Sequence, residues 1–81
     1  MHVPVLPEGE PGMRRRPVSS SAISSIGYDP KKEVLELEFS SGGVYDYYEV
    51  PPTVYEELMS AESKGRFIAE EIRGRYRSER V

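Results

Sequence analysis

Residues 33–50 read EVLELEFSSGGVYDYYEV, and this stretch decides the fold. Apolar and acidic side chains alternate in its first half, as they do on a strand with one buried face. The apolar side chains are Leu35, Leu37 and Phe39. Glu36 and Glu38 point the opposite way, and we expect solvent on that side. The run Ser40–Gly43 then predicts a tight turn, with a glycine available for a left-handed backbone conformation.

The length of that turn decides which side of the returning strand, 44-VYDYYEV-50, faces the core, because a slip of one residue exchanges the two faces. A loop of two or four residues places Asp46 on the apolar side, where an unpaired carboxylate is costly. A three-residue loop, Ser41–Gly43, avoids this cost and pairs Phe39 with Tyr45. We therefore predict the three-residue loop.

The same register pairs Leu37 with Tyr47, so that Tyr45 and Tyr47 both lie on the apolar face. Exposed tyrosines at this spacing would instead form a platform on which bases stack. Such a platform requires the helices to cover the opposite face, so we predict a mainly structural role for both rings. Asp46 and Tyr48 point to solvent, and Tyr48 is the candidate for stacking on a ligand, with cross-strand cover as the alternative.

The flanking segments complete an α+β fold. Ser21–Asp29 is compatible with a first strand, and Asp29–Lys32 has the composition of a type I turn. After the third strand, Thr53 and Glu56 match a capping box at the start of one helix. Ser63 is the predicted cap of a second helix that runs over 64–76. We predict a three-stranded antiparallel meander followed by two helices packed on one face.

Composition sets the outer limits of the domain. Residues 1–17 hold four of the seven prolines and little apolar periodicity, which predicts a disordered leader before a domain at 18–81.

The chain of 81 residues has no cysteine, and its only histidine is His2. It also lacks an apolar run of the ~20 residues that a membrane span requires. These features favour a cytoplasmic protein without metal, cofactor or membrane partner.

The residues offer no constellation typical of catalysis. Carboxylates are numerous, but no pair is set in an apolar pocket by the pattern, and no nucleophile has a neighbouring base. We therefore predict a binding module rather than an enzyme.

Basic residues are concentrated toward the two ends of the chain. The net charge of −3 divides into +1 over residues 1–17, −7 over 18–63 and +3 over 64–81. The best candidate anion site is Ser63-Lys64-Gly65-Arg66, where a helix start offers free amides and glycine permits close approach. The alternative is that Ser63 only caps the helix and Gly65 makes room for packing against the first helix.

Further along the second helix, Arg66, Arg73 and Arg77 gather on one side and are candidates for weak, sequence-insensitive contacts to phosphates, aided by Arg14–Arg16 of the leader. The alternative is a solvated, charge-paired face, because Glu70 lies within helical reach of Arg66 and Arg73. Phe67 projects away from the apolar stripe and is a candidate interface residue, with packing on the first helix as the alternative.

The whole pattern resembles the KTSC domain family, which occurs at the C-terminus of some lysyl-tRNA synthetases and as a stand-alone small bacterial protein. The matching motifs are the run 19–29, the alternation at 35–39, Gly43-Val44-Tyr45-x-Tyr47, Val50-Pro51, Val54-Tyr55, Leu58, Ala61-x-Ser63-x-Gly65-x-Phe67 and Ile72-x-x-x-Tyr76. The synthetase context implies RNA as a partner. The alternative is a protein-interaction module that binds a protein partner or forms a homodimer.

Overall fold

The computed structural model describes residues 15–81, which form one five-stranded antiparallel sheet and two helices. The strands, in chain and in spatial order, are β1 (Arg16–Pro17), β2 (Ile23–Asp29), β3 (Val34–Phe39), β4 (Val44–Tyr47) and β5 (Ser78–Arg80). Helix α1 spans Pro52–Ser60, and helix α2 spans Lys64–Phe67 and continues into a π-helical turn at Ile68–Ile72. The predicted α+β class and the central meander of β2, β3 and β4 are confirmed.

The two helices cover one face of the sheet, here called the inner face, and the core lies between them. The buried apolar side chains are Ile23, Ile26, Leu35, Leu37, Tyr47, Val50, Leu58, Ile68 and Ile72. At one side of this core, the rings of Tyr28 and Tyr55 stack with centroids 4.7 Å apart, and this contact fixes α1 against β2. The Tyr28 hydroxyl donates to the Val50 carbonyl at 2.6 Å, which satisfies the polar end of the ring.

The predicted three-strand sheet is an undercount, because a further strand lies at each edge. Arg16 pairs with Ile26 across β1 and β2, so the end of the predicted leader belongs to the folded domain. Residues 1–14 lie outside the described part of the chain. At the other edge, Ser78 pairs with Tyr47 and Arg80 with Tyr45.

The hairpin between β3 and β4 has a three-residue loop, as predicted, but the loop starts one residue earlier. The Phe39 amide donates to the Gly43 carbonyl at 2.8 Å, which leaves residues 40–42 as the loop. Gly42, with φ +119°, adopts the backbone conformation that glycine permits. Tyr45 and Tyr47 therefore lie on the inner face as predicted, but the predicted pairs are wrong by two residues. The observed pairs are Leu37 with Tyr45 and Leu35 with Tyr47.

Both helix boundaries differ from the predicted ones. The N-cap of α1 is Pro51 without a side-chain hydrogen bond, so the capping box of Thr53 and Glu56 is not formed. Proline supplies the start instead, since its fixed φ suits the first turn and it has no amide to satisfy. The second helix ends at Ile72 and not at Tyr76, because Gly74 has φ +82° and turns the chain out of the helix.

The outer face of the sheet is not the solvated surface that the alternating glutamates predicted. Glu36 is fully buried, and Glu38 and Asp46 are partly buried. The prediction was wrong because Arg15, from the segment assigned to the leader, lies over this face and forms an ion pair with Glu36.

Candidate functional site

An open cleft of about 510 Å³ lies where the inner face of the sheet extends beyond the helices. Its walls are the β3–β4 loop, the paired strands β4 and β5, and the turn that follows α2. The large side chains that line it are Phe39, Tyr45, Tyr47, Arg73 and Arg80. We call this site the tyrosine–arginine cleft. The remaining lining residues, in the two turns and on β5, are serines and glycines, which leave its mouth open.

The aromatic wall of the cleft is built by the hairpin. Tyr45 is partly exposed and meets Phe39 edge to face, with ring centroids 5.7 Å apart and planes at 79°. A side chain at Gly43 would start 2.8 Å from the Tyr45 ring, so glycine is needed there for this ring position. Tyr47 is only 4% exposed and forms the floor. Burial raises the pKa of Tyr47, with Arg73 opposing, so its hydroxyl stays protonated at neutral pH.

The basic wall comes from the segment after α2. The Arg73 amide donates to the Ile68 carbonyl at 2.8 Å, closing the π-helical turn, and the chain then bends at Gly74. This bend brings Arg73 to the cleft. Arg80 reaches it from β5, with its guanidinium carbon 6.0 Å from the Tyr45 ring centroid. Neither arginine forms an ion pair within the described residues, so both guanidiniums are available to an anion.

The predicted anion site at the start of α2 has the features of a capped and packed helix end. The Ser63 hydroxyl accepts from the Arg66 amide at 3.3 Å, and the Lys64 ammonium donates to the Ala61 carbonyl at 3.5 Å. A Cβ at Gly65 would lie 2.9 Å from the Cβ of Ala22. Gly65 therefore allows the helix to approach the segment before β2, whereas the packing alternative had placed the first helix there.

Replacing Gly65 with alanine tests this packing role. We expect a loss of ~1–3 kcal/mol in the free energy of unfolding, because the added methyl overpacks the contact with Ala22. Alanine otherwise favours a helix over glycine by ~1 kcal/mol, so a net loss reports the clash. The measurement is urea denaturation of Gly65→Ala and of the double variant with Ala22→Gly, which should recover part of the loss. A gain of ~1 kcal/mol in the single variant, the helix propensity of alanine alone, would exclude the packing role.

The three arginines predicted to share one helix face do not form one surface. Arg66 lies on α2 and pairs with Glu70 at 3.1 Å in an exposed ion pair. Arg73 and Arg77 lie beyond the end of the helix. Arg73 lines the cleft, whereas the Arg77 guanidinium lies 4.5 Å from the centroid of the Tyr48 ring. Only Arg73 of the three joins the aromatic residues of the cleft.

Two other candidates are engaged within the chain. The Tyr48 hydroxyl donates to Glu79 Oε1 at 2.8 Å, and this hydrogen bond is the main cause of the raised pKa of Tyr48. One face of its ring already carries Arg77. Phe67 is partly buried and packs against the core, so it is less available as an interface residue than its sequence position suggested.

Sequence reasoning missed Arg80 altogether, because a three-residue strand carries no periodic signal. Gly74 did carry a signal, since a glycine near the end of an apolar helical pattern often marks the helix end. A helix that ends before Gly74 would have placed Arg73 at the helix end and not on the helix surface.

Within residues 15–81 no three side chains of metal-binding type come together, and no helix there has the length and apolarity to cross a membrane.

Known proteins similar to this chain share both its sequence and its fold. The family model of the KTSC domain matches residues 19–76. A protein of Tsukamurella paurometabola is 49% identical over 63 residues, covering 78% of this chain and 94% of its own length. The lysine–tRNA ligase of Nostoc punctiforme is 41% identical over 61 residues, which are 75% of this chain but 11% of the ligase.

A solved structure agrees with these matches. The crystal structure of a KTSC domain protein from Yersinia pestis superimposes with a TM-score of 0.83 at 46% identity, covering 86% of this chain and 99% of that one. The resemblance read from the motifs is therefore confirmed, and the chain belongs to the KTSC domain family.

Proposed function

We propose that this chain is a small non-enzymatic binding module that holds single-stranded RNA in the tyrosine–arginine cleft. The observation that carries the proposal is the convergence of Arg73 and Arg80 with the partly exposed Tyr45 ring on one open cleft. Aromatic rings and guanidiniums are the two groups that non-specific single-strand binders combine.

The chemistry of the cleft suits one nucleotide unit. Stacking of a base on an aromatic ring contributes ~1–3 kcal/mol, and Tyr45 offers such a ring at the mouth. Arg73 and Arg80 supply charge for the adjacent phosphates, in the planar geometry that guanidinium presents to phosphate oxygens. The volume of about 510 Å³ lies in the range of roughly 300–1,000 Å³ typical of small-ligand sites, so an unpaired strand fits better than a duplex.

The relatives support RNA as the polyanion. The matched segment also forms part of lysine–tRNA ligases, whose name specifies tRNA as a substrate. The acidic outer face, with Glu36, Glu38, Asp46 and Glu79, repels a polyanion and confines any contact to the side of the cleft. Binding should therefore be weak and insensitive to sequence.

The alternative is a protein-interaction or self-associating module without a role in RNA binding. The observations favour it less, because Phe67 packs partly on the core. The two edge strands, β1 and β5, are also only two and three residues long and carry charged residues or proline, which are features that discourage edge-to-edge pairing.

RNA binding by paired charge-reversal variants tests the proposal. We expect the double variant of Arg73→Glu and Arg80→Glu to lose at least about tenfold in affinity for a single-stranded RNA of mixed sequence, measured by fluorescence anisotropy at low salt. With about two phosphates neutralised, log affinity of the wild type should fall with log salt at a slope near −1.4.

The matched control is the double variant of Arg66→Glu and Arg77→Glu, which makes the same change in net charge outside the cleft. We expect it to retain affinity within about threefold of wild type. An equal loss in both double variants would show binding by diffuse charge and would exclude the cleft. Wild-type protein that binds no RNA at low salt would exclude the RNA proposal and favour the protein-interaction alternative.

A further inference from the structure

A row of charged side chains crosses the outer face of the sheet, on the side away from the cleft. Asp46 lies opposite Glu36 on β3 and opposite Glu79 on β5. Continuing the register of β1 by one residue places Arg15 beside Gly27, which in turn lies opposite Glu36. Because Gly27 has no side chain, Arg15 reaches across β2 to the acidic residues.

Arg15 is the single cation that this network contains among the described residues. Its Nη1 donates to Glu36 Oε2, and its Nε donates to the Ser25 hydroxyl at 2.9 Å. The Ser25 hydroxyl in turn donates to Glu38 Oε1 at 2.8 Å, which extends the hydrogen-bond network to Glu38. The single positive charge of Arg15 thus faces three carboxylates, those of Glu36, Glu38 and Asp46, and cannot neutralise all of them.

Two oxygens of the row lack a partner. Glu36 Oε1 and Asp46 Oδ1 are both buried and accept no hydrogen bond from the described residues. Two ionised carboxylates on directly opposed positions would repel each other and leave both oxygens unsatisfied. A single proton between the two groups removes one charge and supplies the missing hydrogen bond.

We propose that Glu36 and Asp46 share one proton in the folded protein, and that this buried proton makes the β3–β4 pairing sensitive to pH. The charged and titratable groups facing the pair are Arg15 ahead of β1, Glu38 on β3, Tyr48 after β4 and Glu79 on β5, and Arg77 lies farther out, over the Tyr48 ring. Strand β2 contributes only Ser25 and Gly27 here, so it adds no charge.

The titration of Asp46 agrees with this geometry. Burial, followed by the hydrogen bond to Glu36 and its charge, raises the pKa of Asp46 from 3.8 to about 7, while Arg15 opposes the rise. The folded state then keeps a proton that the unfolded chain has released. The stability that this proton contributes is therefore fully present below the ordinary pKa, falls as pH rises toward about 7, and is lost once the folded state has also released the proton.

Thermal unfolding between pH 5 and 8.5 tests the shared proton. We expect the Tm of the wild type to fall by at least about 5 °C across this range and to level off above pH 7.5. In Asp46→Asn the amide donates permanently to Glu36, so the fall should be absent and the Tm at pH 8.5 should equal or exceed that of the wild type. Glu38→Gln, the same change in charge on the same face, should keep the fall.

NMR of the side-chain carboxyl groups of the wild type measures their protonation directly, without a variant. We expect one resonance of the Glu36–Asp46 pair to titrate near pH 7. The proposal is overturned if every carboxyl titrates below pH 5, or if Asp46→Asn and the wild type show the same dependence of Tm on pH.

Discussion

Replacing Tyr47 with alanine is expected to lower the free energy of unfolding by about 3–4 kcal/mol, the range for deleting a large buried ring from a core. Tyr47 is 4% exposed, pairs with Leu35 across the sheet and belongs to the core cluster. No other aromatic ring among the described residues is as deeply buried. Since domains have total stabilities of about 5–15 kcal/mol, this loss is a large share for a chain of this size.

The measurement is urea denaturation of Tyr47→Ala with two matched variants. Tyr47→Phe keeps the ring and removes only the hydroxyl beside Arg73, so we expect most of the stability to remain. Tyr48→Ala removes the neighbouring ring, which is partly exposed on the other face, and should cost much less. If Tyr47→Ala unfolds at nearly the wild-type urea concentration but no longer binds RNA, the ring is a ligand platform and not a core residue.

The contrast between Tyr47 and Tyr48 shows how far the alternation of residues predicts this fold. Apolar side chains at every second position of β3 identified the inner face, and the cost of burying Asp46 there selected the correct faces of β4. The alternation could not identify which residues of β3 and β4 pair with each other, because a shift of two residues leaves the same side chains on each face. The hydrogen bond from the Phe39 amide to the Gly43 carbonyl closes the hairpin in the observed register.

The edges of the sheet were not predictable from periodicity. Strand β1 consists of an arginine and a proline, and β5 of a serine, a glutamate and an arginine. Neither has an apolar face, so each is held by backbone pairing and by polar side-chain contacts, such as Arg15 with Glu36 and Tyr48 with Glu79, and not by a core pattern. The missed strands bring Arg80 to the cleft and Arg15 to the outer face, and both sites were therefore incompletely predicted.

The candidate site was predictable in its aromatic half only. Tyr45 and Tyr47 were assigned to the inner face from the register, and both line the cleft. Arg73 was identified as a phosphate contact but was placed on the surface of a continuous helix. The apolar spacing from Ile72 to Tyr76 continues the helical period, and it outweighed the one residue, Gly74, that breaks the helix.

Replacing Arg15 with methionine is expected to lower the free energy of unfolding by about 3 kcal/mol at pH 8, because Glu36 then keeps a buried charge without its partner. This is the lower end of the range of ~3–5 kcal/mol for breaking a buried ion pair. The lower end applies because the Arg15 side chain is 28% exposed while that of Glu36 is fully buried. Methionine retains most of the length of the arginine stem, so the loss reports charge more than packing.

Arg16→Met is the matched control, since it makes the same chemical change one residue later at an exposed position of β1. We expect it to leave urea denaturation nearly unchanged.

Adding Glu36→Gln to Arg15→Met should recover part of the loss, because the uncompensated charge is then removed. The loss in Arg15→Met should also be smaller at pH 5 than at pH 8, since at pH 5 Asp46 keeps its proton and the missing guanidinium leaves one buried charge and not two. An equal loss in Arg16→Met, or one that does not change with pH, would show that Arg15 holds the edge strand by packing and not by balancing the buried carboxylates.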